Sequence, residues 1–405
     1  MNILFLGRFY PQKLIMSIAR DSYGKVGMSN HNFEMSIVNG LCKQENINLQ
    51  CVTLPAVYSF PHNNRRFFTK SEAYIHNGIP IYSIGFCNLV IIKELLSTIL
   101  LIFRLIKVIS KFKDNKRVNV IINTPNNKLL SAIKIARLFS RKQITQTVII
   151  PDIPSMVTTM YVQNPIKRFL LRYFNKKSIK KITESDGLVL LTEAMMDFVN
   201  KPITHIIMEG IINLDTLNLN IDRLETSKEI ILYTGTLSKI FGIMNLVEAF
   251  IQIPDKNIEL WICGSGDSKQ DIENVAKQDS RIKFFGLVDS MTALKFQRQA
   301  TILVNPRTSD GEYTKYSFPS KTIEYLLCGK SVIINRLPGI PEEYYEFVHI
   351  PKDESVKALS ECISNVLLLN KSLRNEIALK GKNFIMSRKN SKVQTDRILK
   401  MISNY

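Results

Sequence analysis

At 405 residues the chain is too long for one ordinary hydrophobic core and suits two. Hydrophobic residues make up 45% and charged residues 22%, which excludes a disordered chain. The net charge is +19, and residues 1–215 carry most of it, with 28 Lys/Arg against 13 Asp/Glu, compared with 26 against 22 in the remainder. A basic first half attracts nucleic acid or anionic lipid. With no zinc-finger, RRM or helix-turn-helix cue beside it, lipid is the expected partner and nucleic acid is not. The six cysteines form no C-x-x-C pair and the five histidines are dispersed, so they read as free thiols in a reducing compartment without a metal site.

The N-terminus, MNILFLGRFYP, is a short apolar run without a charged n-region or a small-residue cleavage site. It reads as a first β-strand of a cytoplasmic protein. Further strands are expected at Leu49–Leu54, Ile79–Ser83, Val118–Asn123, Gln146–Ile150 and Gly187–Leu191. In the second half they are expected at Ile230–Thr234, Glu259–Cys263, Ile282–Phe285, Ile302–Val304, Ser331–Ile334 and Phe347–Ile350. β-Branched runs alternating with helix-like stretches imply βαβ units, hence an α/β chain of two doubly wound, Rossmann-like domains. The expected division is 1–212, a polar linker over 213–228, a second domain over 229–385, and a terminal helix from 386 to 405.

Two segments of the first half are amphipathic and basic. In Leu89–Lys113 the residues Leu89, Ile92, Leu96, Ile99, Phe103 and Ile106 share one helical face, with Lys93, Ser97, Arg104, Lys107 and Lys111 opposite. Its charges exclude a membrane span, since each costs roughly 2.5–3.5 kcal/mol near a bilayer centre. Ile166–Ile182 interleaves Phe169, Leu170, Tyr173 and Phe174 with Lys167, Arg168, Arg172, Lys176, Lys177, Lys180 and Lys181. Basic helices with aromatic content suit an anionic membrane interface, and packing of one face on a sheet is the simpler alternative.

The second half holds the residues suited to chemistry. YTGTLSKIFG places Gly235, Thr236 and Lys239 between a strand and a helix, where a glycine lets a phosphate approach the backbone. Gly264-Ser265-Gly266 ends the next strand, and Gly286-Leu287 ends a third, on the edge where open α/β sheets bind ligands. The richest run is NPRTSDGEYTKYSFPSKTIEYLLCGK. Pro319 suits a first helical turn, Ser317 and Ser320 are candidate caps, and Lys321 can neutralise phosphate. Glu324, one turn on, can accept from two ribose hydroxyls.

This succession of G-x-L…G, C-G-x-G, F-x-G and P-S-K-x-x-E-Y-L-x-x-G-x-x-V-I resembles the donor domain of family-4 glycosyltransferases, and most of all their bacterial polysaccharide-assembly branch. In the family's E-G-F-G-x-x-x-x-E pattern the second glutamate falls on Glu324 and the phenylalanine on Phe318, while Tyr316 replaces the first glutamate. Thr236 and Phe241 stand where the family usually has Arg and Lys, which leaves Lys239, Arg307 and Lys321 as substitutes for gripping phosphate. The resemblance implies a GT-B fold with two domains facing across a cleft and a retaining transfer without metal or cofactor, in keeping with the lack of a D-x-D triad. The nucleotide sugar is a co-substrate held by the second domain, and the acceptor is a lipid-linked saccharide at the inner face of the membrane. It also sets Gly27 against the diphosphate and makes Asp152 an acceptor-side polar residue, for which a helix cap is the alternative role. A nucleotide-sugar 2-epimerase shares the fold, and the missing first glutamate leaves a non-catalytic binding subunit open.

Overall fold

The computed structural model describes residues 1–21, 27–60, 68–113, 117–153, 165–199, 201–217 and 228–405. They fall into two compact units, Met1–Asn213 with Asn390–Tyr405, and Leu214–Lys389. Most of the polar stretch read as a linker, 218–227, lies outside the described residues.

The strands of the first unit are β1 (Asn2–Gly7), β2 (Asn48–Thr53), β3 (Phe68–Thr69), β4 (Glu72–His76), β5 (Ile79–Ser83), β6 (Phe86–Cys87), β7 (Val118–Asn123), β8 (Ile144–Ile150), β9 (Gly187–Leu190) and β10 (Thr204–Ile207). Eight of them form one sheet in the order β10-β9-β8-β7-β1-β2-β5-β4. Every residue of β1, β7 and β8 is buried, as β-branched runs covered on both faces require. Within this sheet all pairings are parallel except β4–β5, and β3 and β6 form a separate antiparallel pair. That hairpin turns on Asn77-Gly78, both with positive φ (47° and 78°), the geometry an Asn-Gly dipeptide favours.

Helices α1 (Gln12–Asp21), α2 (Met28–Cys42), α3 (Val90–Ser110), α4 (Asn127–Leu138) and α5 (Pro165–Ile182) complete the N-terminal part of this unit. The chain's last helix, Ser391–Ser403, belongs to it as well. Gln394 donates to the Gly210 carbonyl at 2.7 Å, Arg397 to that of Ile207 at 2.8 Å, and the Tyr405 hydroxyl meets Thr147 Oγ1 at 2.7 Å.

Much of the apolar face read on α3 looks outward. Lys93 and Ser97 are buried with Leu101, Leu105 and Val108, while Ile92, Ile99 and Phe103 look outward. The helix is apolar around most of its circumference, so the contacts of its packed stripe decide its orientation. Ser97 returns its hydroxyl to the Lys93 carbonyl, and Lys93 bonds to the Val57 carbonyl. On α5 the backbone and the side chains of Phe169, Lys176, Lys177, Lys180 and Lys181 are described; those of Lys167, Arg168, Leu170, Arg172, Tyr173 and Phe174 lie outside the described residues.

The second unit contains β11 (Glu229–Thr234), β12 (Ile258–Cys263), β13 (Ile282–Gly286), β14 (Ile302–Asn305) and β15 (Ser331–Ile334), all parallel in the order β13-β12-β11-β14-β15. Helices α6 (Ile243–Ile251), α7 (Lys269–Gln278), α8 (Ser290–Gln299), α9 (Lys321–Leu327), α10 (Val356–Leu368) and α11 (Lys371–Arg388) flank it. Ile231, Leu246, Phe250, Leu260, Ile302 and Ile333 build the core between sheet and helices. Phe347–Ile350 is not a strand. Phe347 ends a 3-10 turn from Glu342, and His349 makes only an isolated bridge to Ile333.

Candidate functional site

Strand order in the second unit reverses between β11 and β14, because the chain leaves β11 toward β12 on one side and continues from β14 to β15 on the other. Ligands of open α/β sheets bind beyond the carboxyl ends of the strands at such a point. Gly235–Leu237 leave β11 there, and Pro306-Arg307 leave β14.

The two loops after β11 and β12 are stitched together. Gly235 N–H donates to the Cys263 carbonyl and Leu237 N–H to that of Ser265, both at 3.0 Å. Gly264 has a φ of 149°, and a Cβ there would come within 1.8 Å of the Gly235 carbonyl oxygen. The glycine therefore permits close packing of two backbones. Gly264 N–H also reaches the Gly286 carbonyl at 2.7 Å, which ties in the β13 turn, while Leu287 just beyond is exposed. Thr236 accepts the Tyr233 hydroxyl at its carbonyl (2.7 Å).

Gly242, with φ 72°, opens α6, and no side chain caps that helix. A Cβ on Gly242 would stand 2.2 Å from the Pro306 carbonyl oxygen, so the start of α6 lies directly on the β14 loop. Arg307 follows, only 8% exposed. Its guanidinium is stacked between the rings of Phe241 (5.4 Å) and Tyr313 (4.9 Å). Its polar contacts are long ones to Ser317 Oγ, at 3.4 and 3.5 Å, and Nε is buried with no hydrogen-bond partner. Burial holds the Tyr233 hydroxyl far above its usual range, and the charge of Arg307 acts on it in the opposite sense.

Arg307 is thus a buried cation with no acidic partner among the described residues. Burying a charge in this way is costly unless an anion meets it. Phe241, at the position where the resembled family has lysine, supplies the ring on which this charge lies.

The other anticipated residues are placed differently. Lys321 and Glu324 pair with each other at 2.6 Å on the first turn of α9. Lys239 pairs with Asp271 at 3.1 Å on the surface. Neither expected cap forms: Ser320 precedes α9 without a side-chain cap bond, and Ser317 faces Arg307. The Pro319 carbonyl accepts from Thr322 N–H at 2.9 Å in the first turn, and Phe318 packs against Tyr344 with ring centres 5.3 Å apart. Tyr316 is buried, its hydroxyl 3.5 Å from Glu312.

Gly27 and Asp152 lie in the first unit. Gly27 is exposed at the start of α2, and Asp152 is exposed just beyond β8. That unit reverses strand order between β1 and β7, and its edge there carries a residue the sequence reading passed over. Glu34 is fully buried, accepting from Arg8 N–H at 2.7 Å and Asn123 Nδ2 at 2.8 Å. Burial pushes its carboxyl up to about 7. The one sequence signal for its burial is its spacing of three, four and seven residues from Ile37, Val38 and Leu41. Among the described residues no group of three His, Cys, Asp or Glu is placed to hold a metal ion.

Residues 228–368 match the family described as "Glycosyl transferases group 1". This segment is a group 1 glycosyl transferase domain. A stretch of 168 residues is 29% identical to the putative colanic acid biosynthesis glycosyl transferase WcaI of Escherichia coli (strain K12), covering 39% of this chain and 40% of that protein. The match therefore spans about two fifths of the curated relative's length. Solved structures resemble the whole chain. Sucrose-phosphate synthase (tll1590) from Thermosynechococcus elongatus superposes with a TM-score of 0.62 at 16% identity over 100% of both chains. Anabaena Alr3699/HepE in complex with UDP gives 0.62 at 12% identity over 100% of both. The E. coli trehalose-6-phosphate protein bound with UDP-2-fluoro glucose gives 0.62 at 9% over 99% of this chain and 98% of its own. At such identities the likeness establishes the fold, which is GT-B.

Proposed function

We propose that the chain is a retaining glycosyltransferase that moves a sugar from a nucleotide-diphosphate donor to a lipid-linked saccharide during cell-surface polysaccharide assembly, as in capsule or lipopolysaccharide. The observation that carries this reading is Arg307, a buried cation without an acidic partner, at the strand-order reversal of the group 1 glycosyl transferase domain. A donor diphosphate is the anion it suits. The uncapped first turn of α6 adds partial positive charge beside it.

In the transfer, charge builds on the departing diphosphate as the glycosidic bond loosens. Arg307 meets that charge without reorganising, since its ring stack already fixes its plane. Lys321 is released to the diphosphate when Glu324 turns to the ribose hydroxyls, so the observed ion pair is the resting partner of both. Lys239 is held by Asp271 and contributes less.

The acceptor side is read from α3. Ile91 (75% exposed), Leu95 (64%) and Phe103 (68%) project from it, and Lys107 and Lys111 are exposed near its end. Neighbouring α4 and α5 add Leu138, Phe139 and Phe169, with Lys176, Lys177 and Lys180 exposed on α5. Among the described residues no helix is long and apolar enough to cross a membrane. An apolar stripe rimmed by cations fits the surface of an anionic inner leaflet, where each Lys or Arg contributes about 1 kcal/mol.

A thermal-shift screen of the full chain against UDP, GDP, ADP, dTDP and CMP tests the donor site. One diphosphate should stabilise the protein selectively, and Arg307→Gln and Glu324→Ala should weaken the response. If millimolar concentrations of all five leave the melting temperature unchanged, the donor assignment is wrong. Co-sedimentation with phosphatidylglycerol vesicles, reduced by Phe103→Ser, tests the lipid surface.

A further inference from the structure

The first unit carries its own unbalanced cations at the carboxyl edge of its sheet. Arg8 leaves β1 with its N–H on Glu34 and its carbonyl accepting from Ala56 N–H at 3.2 Å. Its guanidinium Nε is buried with no hydrogen-bond partner among the described residues. One residue beyond Ala56, the Val57 carbonyl accepts from Lys93 Nζ. Lys93, in the first turn of α3 and 7% exposed, has one further partner, Asn88 Oδ1 at 3.3 Å, and lies over the Phe86 ring at 5.2 Å. Both of its acceptors are neutral.

The charges around Lys93 do not balance it. Burial holds its ammonium down to about 8, and Lys128 and Arg8 push in the same direction. Glu94 is the carboxylate that favours the charged form, and it is bonded to Lys128 at 2.6 Å. Glu34 also lies near Arg8, but it is held by a backbone N–H and by Asn123. The first turn of α3, a helix of 21 residues, has no side-chain cap. The buried ammonium of Lys93, the buried Nε of Arg8 and an uncapped helix start therefore have no anion committed to them among the described residues.

We propose that Arg8, Lys93 and the first turn of α3 form an anion site that takes a phosphate or diphosphate group of the acceptor. The inference rests on the reading of the chain as a transferase with a lipid-linked acceptor. A doubly charged phosphate supplies acceptors for Arg8 Nε and Lys93 Nζ and offsets the cost of burying both. A lipid diphosphate and a soluble phosphorylated sugar present the same chemistry here.

The test is calorimetric titration of the full chain with inorganic pyrophosphate in an Arg307→Gln background, which removes the main cation of the donor site. Adding Lys93→Met or Arg8→Gln should weaken the remaining binding tenfold or more, with thermal melts checking that each variant is folded. Unchanged affinity in both folded double variants, or no pyrophosphate binding in Arg307→Gln alone, overturns the site. Binding of nucleoside diphosphates to Lys93→Met should match that of the unaltered protein. If nucleoside diphosphates bind neither, the transferase reading fails while the pyrophosphate result stands by itself. Phosphatidylcholine vesicles with a polyprenyl diphosphate separate the sources. Retention on them that free pyrophosphate reverses identifies a lipid head group, and pyrophosphate binding without retention identifies a soluble phosphate.

Discussion

Both units reverse strand order at the carboxyl edge of a parallel sheet, and both bury a cation there, yet they use different side chains. The second unit uses Arg307, whose charge is permanent and whose plane is set by Phe241 and Tyr313. The first unit uses Lys93, whose ammonium is held down to about 8 by burial and by Lys128 and Arg8. An arginine stack is a fixed anion receptor; a buried lysine is a receptor whose own proton is conditional. The contrast suits a donor that always brings a diphosphate and an acceptor whose binding must first stabilise the lysine's charge.

The largest effect should come from breaking the backbone that sets Arg307. Gly242→Ala forces a Cβ against the Pro306 carbonyl at 2.2 Å from a φ of 72°, where both sides are backbone. We expect a loss of about 3 kcal/mol in urea unfolding, together with weakened nucleotide binding. Arg307→Gln should leave stability almost unchanged or slightly raised. It should cost about 2–3 kcal/mol in nucleoside-diphosphate affinity, roughly a hundredfold. Arg307→Lys should not restore it, because a lysine cannot lie flat between the two rings. Full rescue by lysine would remove the distinction between the two edges.

Lys93→Met sharpens the comparison through pH. In the folded protein Lys93 releases its proton near 8, whereas unfolded it holds it to about 10.5. Between those values the unfolded chain binds more protons, so stability rises with pH across that window and the cost of burying the charge is full below it. Methionine removes that cost and also two hydrogen bonds. We expect the variant to be more stable at pH 7 by about 2 kcal/mol, with the gap shrinking toward pH 10. Equal stability at both pH values would show that the ammonium is already neutralised by a group of the protein. In the Arg307→Gln background, pyrophosphate at pH 7 should raise the melting temperature, and adding Lys93→Met should shrink that rise.

The sheets were legible because their strands are continuous β-branched runs, and Val118–Asn123 or Ser331–Ile334 can hardly be anything else. The hairpin at Asn77-Gly78 was equally available from its dipeptide, but β4 reads Glu-Ala-Tyr-Ile-His and lacks a strong apolar run. Phe347–Ile350 shows the opposite failure, an apolar segment used to close a turn against β15. On α3 the periodicity does not say which face packs, since apolar residues lie on both faces and the deciding contacts come from Val57 and Asn88. Arg307 was visible as a cation, but its stacking depends on two rings 66 and 6 residues away, which no local pattern places there. Glu34 was the least legible, because the partners that hold its carboxylate, Arg8 and Asn123, lie at the ends of two strands distant in sequence from α2.

The smallest effect concerns the pair expected at the nucleotide. Lys321 and Glu324 are one helical turn apart and both partly exposed, 33% and 47% of their side-chain surface. Exposed pairs of this spacing are worth about 0.3–0.5 kcal/mol, so Glu324→Ala should barely move the unfolding midpoint. A stabilising role would instead show as a larger loss in the absence of any nucleotide. Donor affinity should fall about tenfold in Glu324→Ala and less in Glu324→Gln, because the amide oxygen still accepts from one ribose hydroxyl. Loss of affinity for a nucleoside diphosphate but not for inorganic pyrophosphate would place Glu324 at the sugar of the nucleoside. Equal loss for both would mean that the mutation acts through Lys321, freed of its partner, and that the carboxylate only positions that cation.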